Sequence, residues 1–172
     1  GVEMAIKALA WMVRAFEPPV YCYHEIVHNK TVVERFTSMG VVFVDDISQV
    51  PPGSPVMLSA HGSAPQVVTA AHDAGRYAVD AVCPLVTKVH LEARRFAQDD
   101  KTIVLIGHAG HEEVVGTTGQ APERTVLVQT VAEARAVELP RGARPTYLTQ
   151  TTLSVDETNA ILDVLRERFP EI

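Results

Sequence analysis

Thr102-Ile103-Val104-Leu105-Ile106-Gly107-His108-Ala109-Gly110-His111-Glu112-Glu113 is the stretch on which the fold turns. Its first five residues lack polar alternation, as expected of a strand covered on both faces. A polar turn follows, and residues 112–115 have the spacing that starts a short helix. The same strand, loop and helix order repeats on either side. Strands are expected at 20–23, 41–44, 56–59, 77–82, 125–128 and 146–148, separated by turn signals such as Pro51-Pro52-Gly53. Helical spacing covers 30–39, 66–74, 85–97, 131–137 and 154–169, with Gly40 and Gly75 ending two of these and Thr130 and Ser154 opening two others. Glu157 stands at the capping-box position after Ser154. At the start of the chain, Ala5, Ile6, Leu9, Met12, Val13 and Phe16 define a further helix, stopped by Glu17-Pro18-Pro19. The segment 140–145 reads as a surface loop.

About seven strands alternating with helices predict an α/β protein with parallel strands and helices on both faces. We expect two consecutive small lobes, 1–84 and 85–172, with the helix after Cys83 crossing between them. A single seven-stranded sheet is the alternative. The length of 172 residues allows one large domain or two small ones. With 47% apolar and 21% charged residues the chain has enough apolar side chains for a globular core. Its 15 Lys and Arg against 21 Asp and Glu give a net charge of −6, which disfavours nucleic acid as a partner. No apolar run reaches the ~20 residues of a membrane span, and no secretory signal opens the chain. Two cysteines, Cys22 and Cys83, are too few for a disulfide scaffold, so a reducing, cytoplasmic setting is expected. The chain enters its first helix directly from Gly1, as a chain truncated at the start would.

Function is written at the strand ends. The five runs that follow strands are His24-Glu25-Ile26-Val27-His28-Asn29, Ala60-His61-Gly62-Ser63, Cys83-Pro84, Gly107 onward, and Thr149-Gln150-Thr151-Thr152. In open parallel sheets ligands bind beyond the carboxyl ends of the strands. Polar groups at five such ends predict a cleft reached from both lobes. Histidines with Asn29, Thr151 and Thr152, several just before helix starts, suit a phosphate or diphosphate. Glu113 suits a proton donor if burial favours its neutral form. Cys83, before a helix start, suits a thiolate acting as nucleophile or metal ligand. Each has a plainer reading: a lone loop histidine is usually structural, a lone cysteine is usually a small buried residue, and Thr151-Thr152 could simply cap a helix. Cys22 lies within an apolar strand and reads as structural, as do His72 and His90 on their helices. His108 and His111 lack the four-residue spacing of a zinc helix, and neither glycine-rich nucleotide motif occurs.

Taken in order, His24 to Asn29, Ser59-Ala60-His61-Gly62, Cys83-Pro84-Leu85-Val86-Thr87-Lys88-Val89-His90, Ile106 to His111, and Thr149-Gln150-Thr151-Thr152-Leu153-Ser154 closely resemble the 4-hydroxy-3-methylbut-2-enyl diphosphate reductases of the non-mevalonate isoprenoid pathway. The resemblance runs along essentially the whole chain. It implies a three-lobed α/β enzyme that removes the substrate hydroxyl as water and yields isopentenyl and dimethylallyl diphosphate. It implies a [4Fe–4S] cluster on three cysteines and a ferredoxin or flavodoxin as electron donor. By position, Cys83 matches the second cluster cysteine. His28, His61 and His111 match the diphosphate histidines. Glu113 matches the proton donor and Thr151 its relay, while Val27 and Thr152 match residues near the substrate. The resemblance places the other two cluster cysteines and the third lobe outside this sequence, so the expectation is a truncated chain, inactive alone. Local departures are Val82 for Thr, Ser63-Ala64 for Val-Ser, Glu112 for Pro, and Val115 and Thr118 for Glu and Met. The alternatives are a stand-alone diphosphate-binding module without redox activity and, last, a metal-dependent hydrolase using His108, His111, Glu113 and Cys83.

Overall fold

The computed structural model describes residues 1–172 and divides into two compact units, Gly1–Pro84 and Leu85–Ile172. In the first, α1 (Val2–Ala15), β1 (Val20–Tyr23), α2 (Lys30–Ser38), β2 (Val41–Val44), β3 (Pro55–Leu58), α3 (Pro65–Asp73) and β4 (Tyr77–Asp80) follow one another, with a 3-10 turn at Ile47–Gln49. The boundary falls at the first residue of α4 (Pro84–Gln98). The second unit continues with β5 (Thr102–Ile106), α5 (Glu112–Thr118), β6 (Thr125–Val128), α6 (Val131–Ala136), β7 (Pro145–Thr149) and α7 (Val155–Arg168), with a 3-10 turn at Pro122–Arg124. The seven strands form two separate sheets, so the single-sheet alternative is wrong. All pairings are parallel: β2-β1-β3-β4 in one sheet and β6-β5-β7 in the other.

Both faces of the first sheet are covered, as strand alternation requires. Val20 and Cys22 of β1 and Met57 of β3 join the core beneath α1, with Ala5, Leu9 and Met12 at no exposure. That spacing of four and three residues is the buried stripe of an amphipathic helix. Shortening Leu9 to Ala would cost about 2–5 kcal/mol. The intervening residues Tyr21, Tyr23, Val56 and Leu58 face the opposite core with Ala71 of α3. The second sheet repeats the scheme. Val104 and Ile106 pack with Ile161, Leu162 and Leu165 of α7, while Ile103 packs with Ala93 of α4. All five residues of β5 are buried, as its apolar run predicts.

Two expectations need correction. β4 ends at Asp80, short of the 77–82 expected, because the Asp80 side chain accepts from Val82 N at 3.0 Å and turns the chain. Cys83 N then bonds Ala60 O at 2.9 Å. β4 is also an edge strand and is covered only in part: Tyr77 is 63% exposed, while Ala78 and Val79 are half-buried against the two cores.

One topological feature positions everything that follows. β1 has β2 on one side and β3 on the other; β5 has β6 on one side and β7 on the other. The chain therefore reverses its direction of travel across each sheet, and the loops leaving the paired strands diverge. Such a switch point opens a crevice beyond the carboxyl ends. In the first unit it lies at β1 and β3, in the second at β5 and β7.

Candidate functional site

At the first switch point the loop after β1 brings His28 and the loop after β3 brings His61. Their rings stack with centroids 5.5 Å apart and planes 19° from parallel. Ser59, 1% exposed, holds His61 from below. Its Oγ accepts from His61 N at 3.1 Å and lies 3.2 Å from Nδ1, a hydrogen bond that orients the ring. Ser59 was not singled out in the sequence, although a serine two residues before a histidine at a strand end is the spacing of a local side-chain turn. Asn29 uses its Oδ1 to accept from Val32 N at 3.2 Å and cap α2; the donor role expected of it belongs to its amide NH2. Such a cap is worth ~1 kcal/mol. Val27 is 8% exposed and belongs to the hydrophobic core, so its side chain is wall rather than contact. His24 sits apart in a left-handed conformation, φ 62°, with Nδ1 3.5 Å from Asp45.

Cys83 is half-buried near the start of α1: a Cβ placed on Gly1 would fall 2.6 Å from its Sγ. Cys22 is fully buried in the core, as its sequence reading required. No three His, Cys, Asp or Glu side chains converge on a point where they could hold a metal ion. One accessible thiol does not make an iron–sulfur site, which needs several thiolates. The residues present therefore do not by themselves fit a [4Fe–4S] cluster.

The second switch point carries different chemistry. Glu113 is 1% exposed in the first turn of α5. Thr151, on the loop after β7, donates to it twice: its backbone N to Oε1 at 2.6 Å and its Oγ1 to Oε2 at 3.0 Å. This is a complete pairing for a buried carboxyl group, which is costly to bury otherwise. His111 caps α5, its Nδ1 accepting from Glu113 N at 3.2 Å, which places the ring proton on Nε2. His108, 54% exposed at its side chain, lies 3.9 Å from Glu157. That carboxylate follows Ser154, whose Oγ accepts from Glu157 N at 3.2 Å to cap α7. The helix-capping reading of Thr151-Thr152 is thus replaced: Ser154 caps, Thr151 holds Glu113, and Thr152 Oγ1 accepts from Gln150 Nε2 at 2.7 Å. Two of the four groups of the metal-hydrolase alternative are engaged elsewhere, since His111 Nδ1 and both Glu113 oxygens accept from protein donors, and no three such groups converge.

Gln150, buried to 5% exposure, is the residue the sequence reading passed over. Its Oε1 accepts from His108 N at 3.0 Å, tying the loop after β5 to the loop after β7. Gly107 makes room for it: a Cβ there would meet Val114 at 2.5 Å and Gln150 Oε1 at 3.1 Å. A hollow of about 210 Å³ lined by Gln150, Thr151 and Thr158 opens beside this loop. A larger hollow, about 320 Å³ and lined by Arg124, Arg141 and Arg144, lies at the opposite, amino ends of the same strands. Parallel sheets place their ligand sites at the other end.

No helix of this chain is long and apolar enough to cross a membrane. The chain is 54% identical over its whole length to a 4-hydroxy-3-methylbut-2-enyl diphosphate reductase of Rhodopirellula baltica, covering 54% of that protein. It is 51% identical over its whole length to the reductase of the same name from Leifsonia xyli subsp. xyli, covering 51% of it. The chain thus spans about half the length of the curated relatives it matches. Among solved structures, the E-1-hydroxy-2-methyl-but-2-enyl-4-diphosphate reductase of Plasmodium falciparum superposes with a TM-score of 0.95 at 37% identity, over 99% of this chain and 54% of that one. The family model described as LytB protein matches residues 1–172, and the chain belongs to that family.

Proposed function

We propose that the protein to which these residues belong reduces (E)-4-hydroxy-3-methylbut-2-enyl diphosphate to isopentenyl and dimethylallyl diphosphate. Two electrons and two protons replace the C–O bond with a C–H bond and release water. The single observation that carries this reading is the buried Glu113 carboxyl group joined to the hydroxyl of the surface residue Thr151 at the carboxyl end of a parallel sheet.

The pair has a built-in direction. A backbone N–H can only donate, so Oε1 of Glu113 must be the unprotonated oxygen whenever the group is neutral. The transferable proton then sits on Oε2, facing Thr151 Oγ1 at 3.0 Å. Thr151 takes that proton on its oxygen and passes its own to the leaving hydroxyl. One proton thereby reaches the departing water through two groups of this chain. A positioned acid of this kind contributes roughly 10²–10⁴ in rate.

His28, His61 and His111 are the donors assigned to the diphosphate, with Ser59 setting His61 and the Glu113 amide setting His111. Val27 and Thr152 are assigned to the substrate's surroundings. For the [4Fe–4S] cluster that the family implies, this chain offers Cys83 alone, and the chemistry assigned to its residues does not pass through the cluster. The electrons are assigned to a ferredoxin or flavodoxin, and a cytoplasmic setting goes with both.

The test is anaerobic conversion of the allylic diphosphate by the intact protein with a chemical reductant, read as the two product diphosphates. Product formation is expected. Diphosphate binding without product would overturn the reductase reading and leave the anion-binding module.

A further inference from the structure

We propose that Gln150 is a positioning residue that fixes Thr152 as a hydrogen-bond donor, so that Thr152 meets an acceptor atom of the ligand while its neighbour Thr151 relays a proton. The inference rests on the reading of this switch point as part of a reductase site.

The argument begins with the amide orientation. Gln150 N donates to Ile106 O at 2.8 Å, which extends the β5–β7 pairing by one residue and anchors the backbone. Its side chain then bridges two groups of different character. His108 N can only donate, so the amide oxygen must face it, at 3.0 Å. The amide NH2 is consequently turned to Thr152 Oγ1, at 2.7 Å. Rotating the amide would set two donors against each other at a buried position, where an unmatched donor costs about 1–3 kcal/mol. Gly107 leaves room for the amide: a Cβ there would lie 3.1 Å from its oxygen and 2.5 Å from Val114.

With a donor held against it, the Thr152 oxygen accepts from Gln150, and its single proton points to another partner. Thr152 is an exposed residue, so a ligand can be that partner. Thr151 differs. Its hydroxyl bonds a carboxyl group, which can gain or lose a proton, so that bond can run in either direction. Two adjacent hydroxyls thus have distinct duties, one reversible and one fixed. A fixed donor selects a ligand atom that accepts, such as a phosphate or hydroxyl oxygen.

The test is a double-mutant cycle in the intact protein. Gln150→Glu keeps an acceptor for His108 N but presents only acceptors to Thr152, so the Thr152 proton turns inward. We expect the KM for the allylic diphosphate to rise ~10-fold, the worth of one hydrogen bond, with kcat changed less than about twofold. Thr152→Val should give the same rise, and the double variant should be no worse than either single one. Thr152→Ser should match the wild type with Gln150 present and lose that match in the Gln150→Glu background. The His108 amide resonance should stay in place in Gln150→Glu and move in Gln150→Ala, an arm that needs no ligand. A wild-type KM for Gln150→Glu would overturn the proposal. So would multiplying effects in the double variant, because added negative charge alone would repel the ligand whether or not Thr152 is present. Glu113→Gln separates the two levels. If it abolishes turnover while Gln150→Glu is silent, only this inference fails; if it turns over normally, the underlying reading of the site fails.

Discussion

The two units solve the same topological problem and then diverge in chemistry. Each is a parallel sheet whose order reverses once, with functional groups on the two loops that leave the switch point. In the first unit those loops bring two imidazoles face to face, with His28 exposed and His61 half-buried, over one buried serine. In the second they bury a carboxyl group under a threonine and lock the loops together through Gln150. The difference is one of solvent. Exposed and half-buried ring donors suit an anion that arrives from water, whereas the Glu113 carboxyl group is shut from water and meets the surface only through its exposed partner Thr151. The same fold thus supplies a binding end in one unit, and in the other a histidine together with a proton-handling pair.

The largest effect should come from the Glu113–Thr151 pair. Glu113→Gln in the intact protein is expected to lower kcat ~10²–10⁴-fold, because it removes the acid. KM should barely move. An equal rise in KM would erase the contrast between the units. Next, His61→Ala should weaken diphosphate binding ~10-fold, the scale of one hydrogen bond to a charged group, with a smaller change in kcat. Calorimetry with inorganic diphosphate would read it, and Ser59→Ala should produce a weaker version of the same loss.

Packing supplies the third prediction. Gly107→Ala forces Val114 and Gln150 apart, and should destabilise the protein by about 1–3 kcal/mol. Hydrogen exchange should show the loosening in 107–119 and 149–153 and leave the first unit's strands unchanged. The smallest effect concerns Asp46, which caps the Ile47–Gln49 turn. Its hydrogen bonds from Ser48, backbone first, hold its carboxyl below the ordinary 3.8. A lowered folded pKa means that this contribution is complete above 3.8 and is lost as pH falls through the lower folded value. Asp46→Asn should remove that acid-side loss, visible in an acid unfolding series.

The strand order of events was legible because β5 and its neighbours are uninterrupted apolar runs bounded by glycine and polar clusters. Two sheets rather than one were legible as the favoured reading, from the long helix after Cys83. The early end of β4 was not, because it depends on the Asp80 side chain capturing the Val82 amide, a contact without a period. Among site residues, Glu113 and Thr151 stood out as polar groups at strand ends, yet their pairing across 38 positions is set by the sheet and not by spacing. Asn29, expected as a donor, proved also to be a cap, since its amide carries an acceptor oxygen beside the NH2. Gln150 went unmarked because a glutamine between threonines carries no chemistry until its burial and its two partners are known.

The most direct measurement is a paired one on a single preparation of Glu113→Gln intact protein: the dissociation constant of the allylic diphosphate by calorimetry, and the rate of product formation from the same sample. The account predicts a dissociation constant within about twofold of the wild type and turnover reduced at least ~10²-fold. Wild-type turnover, or loss of binding in place of loss of rate, would contradict it.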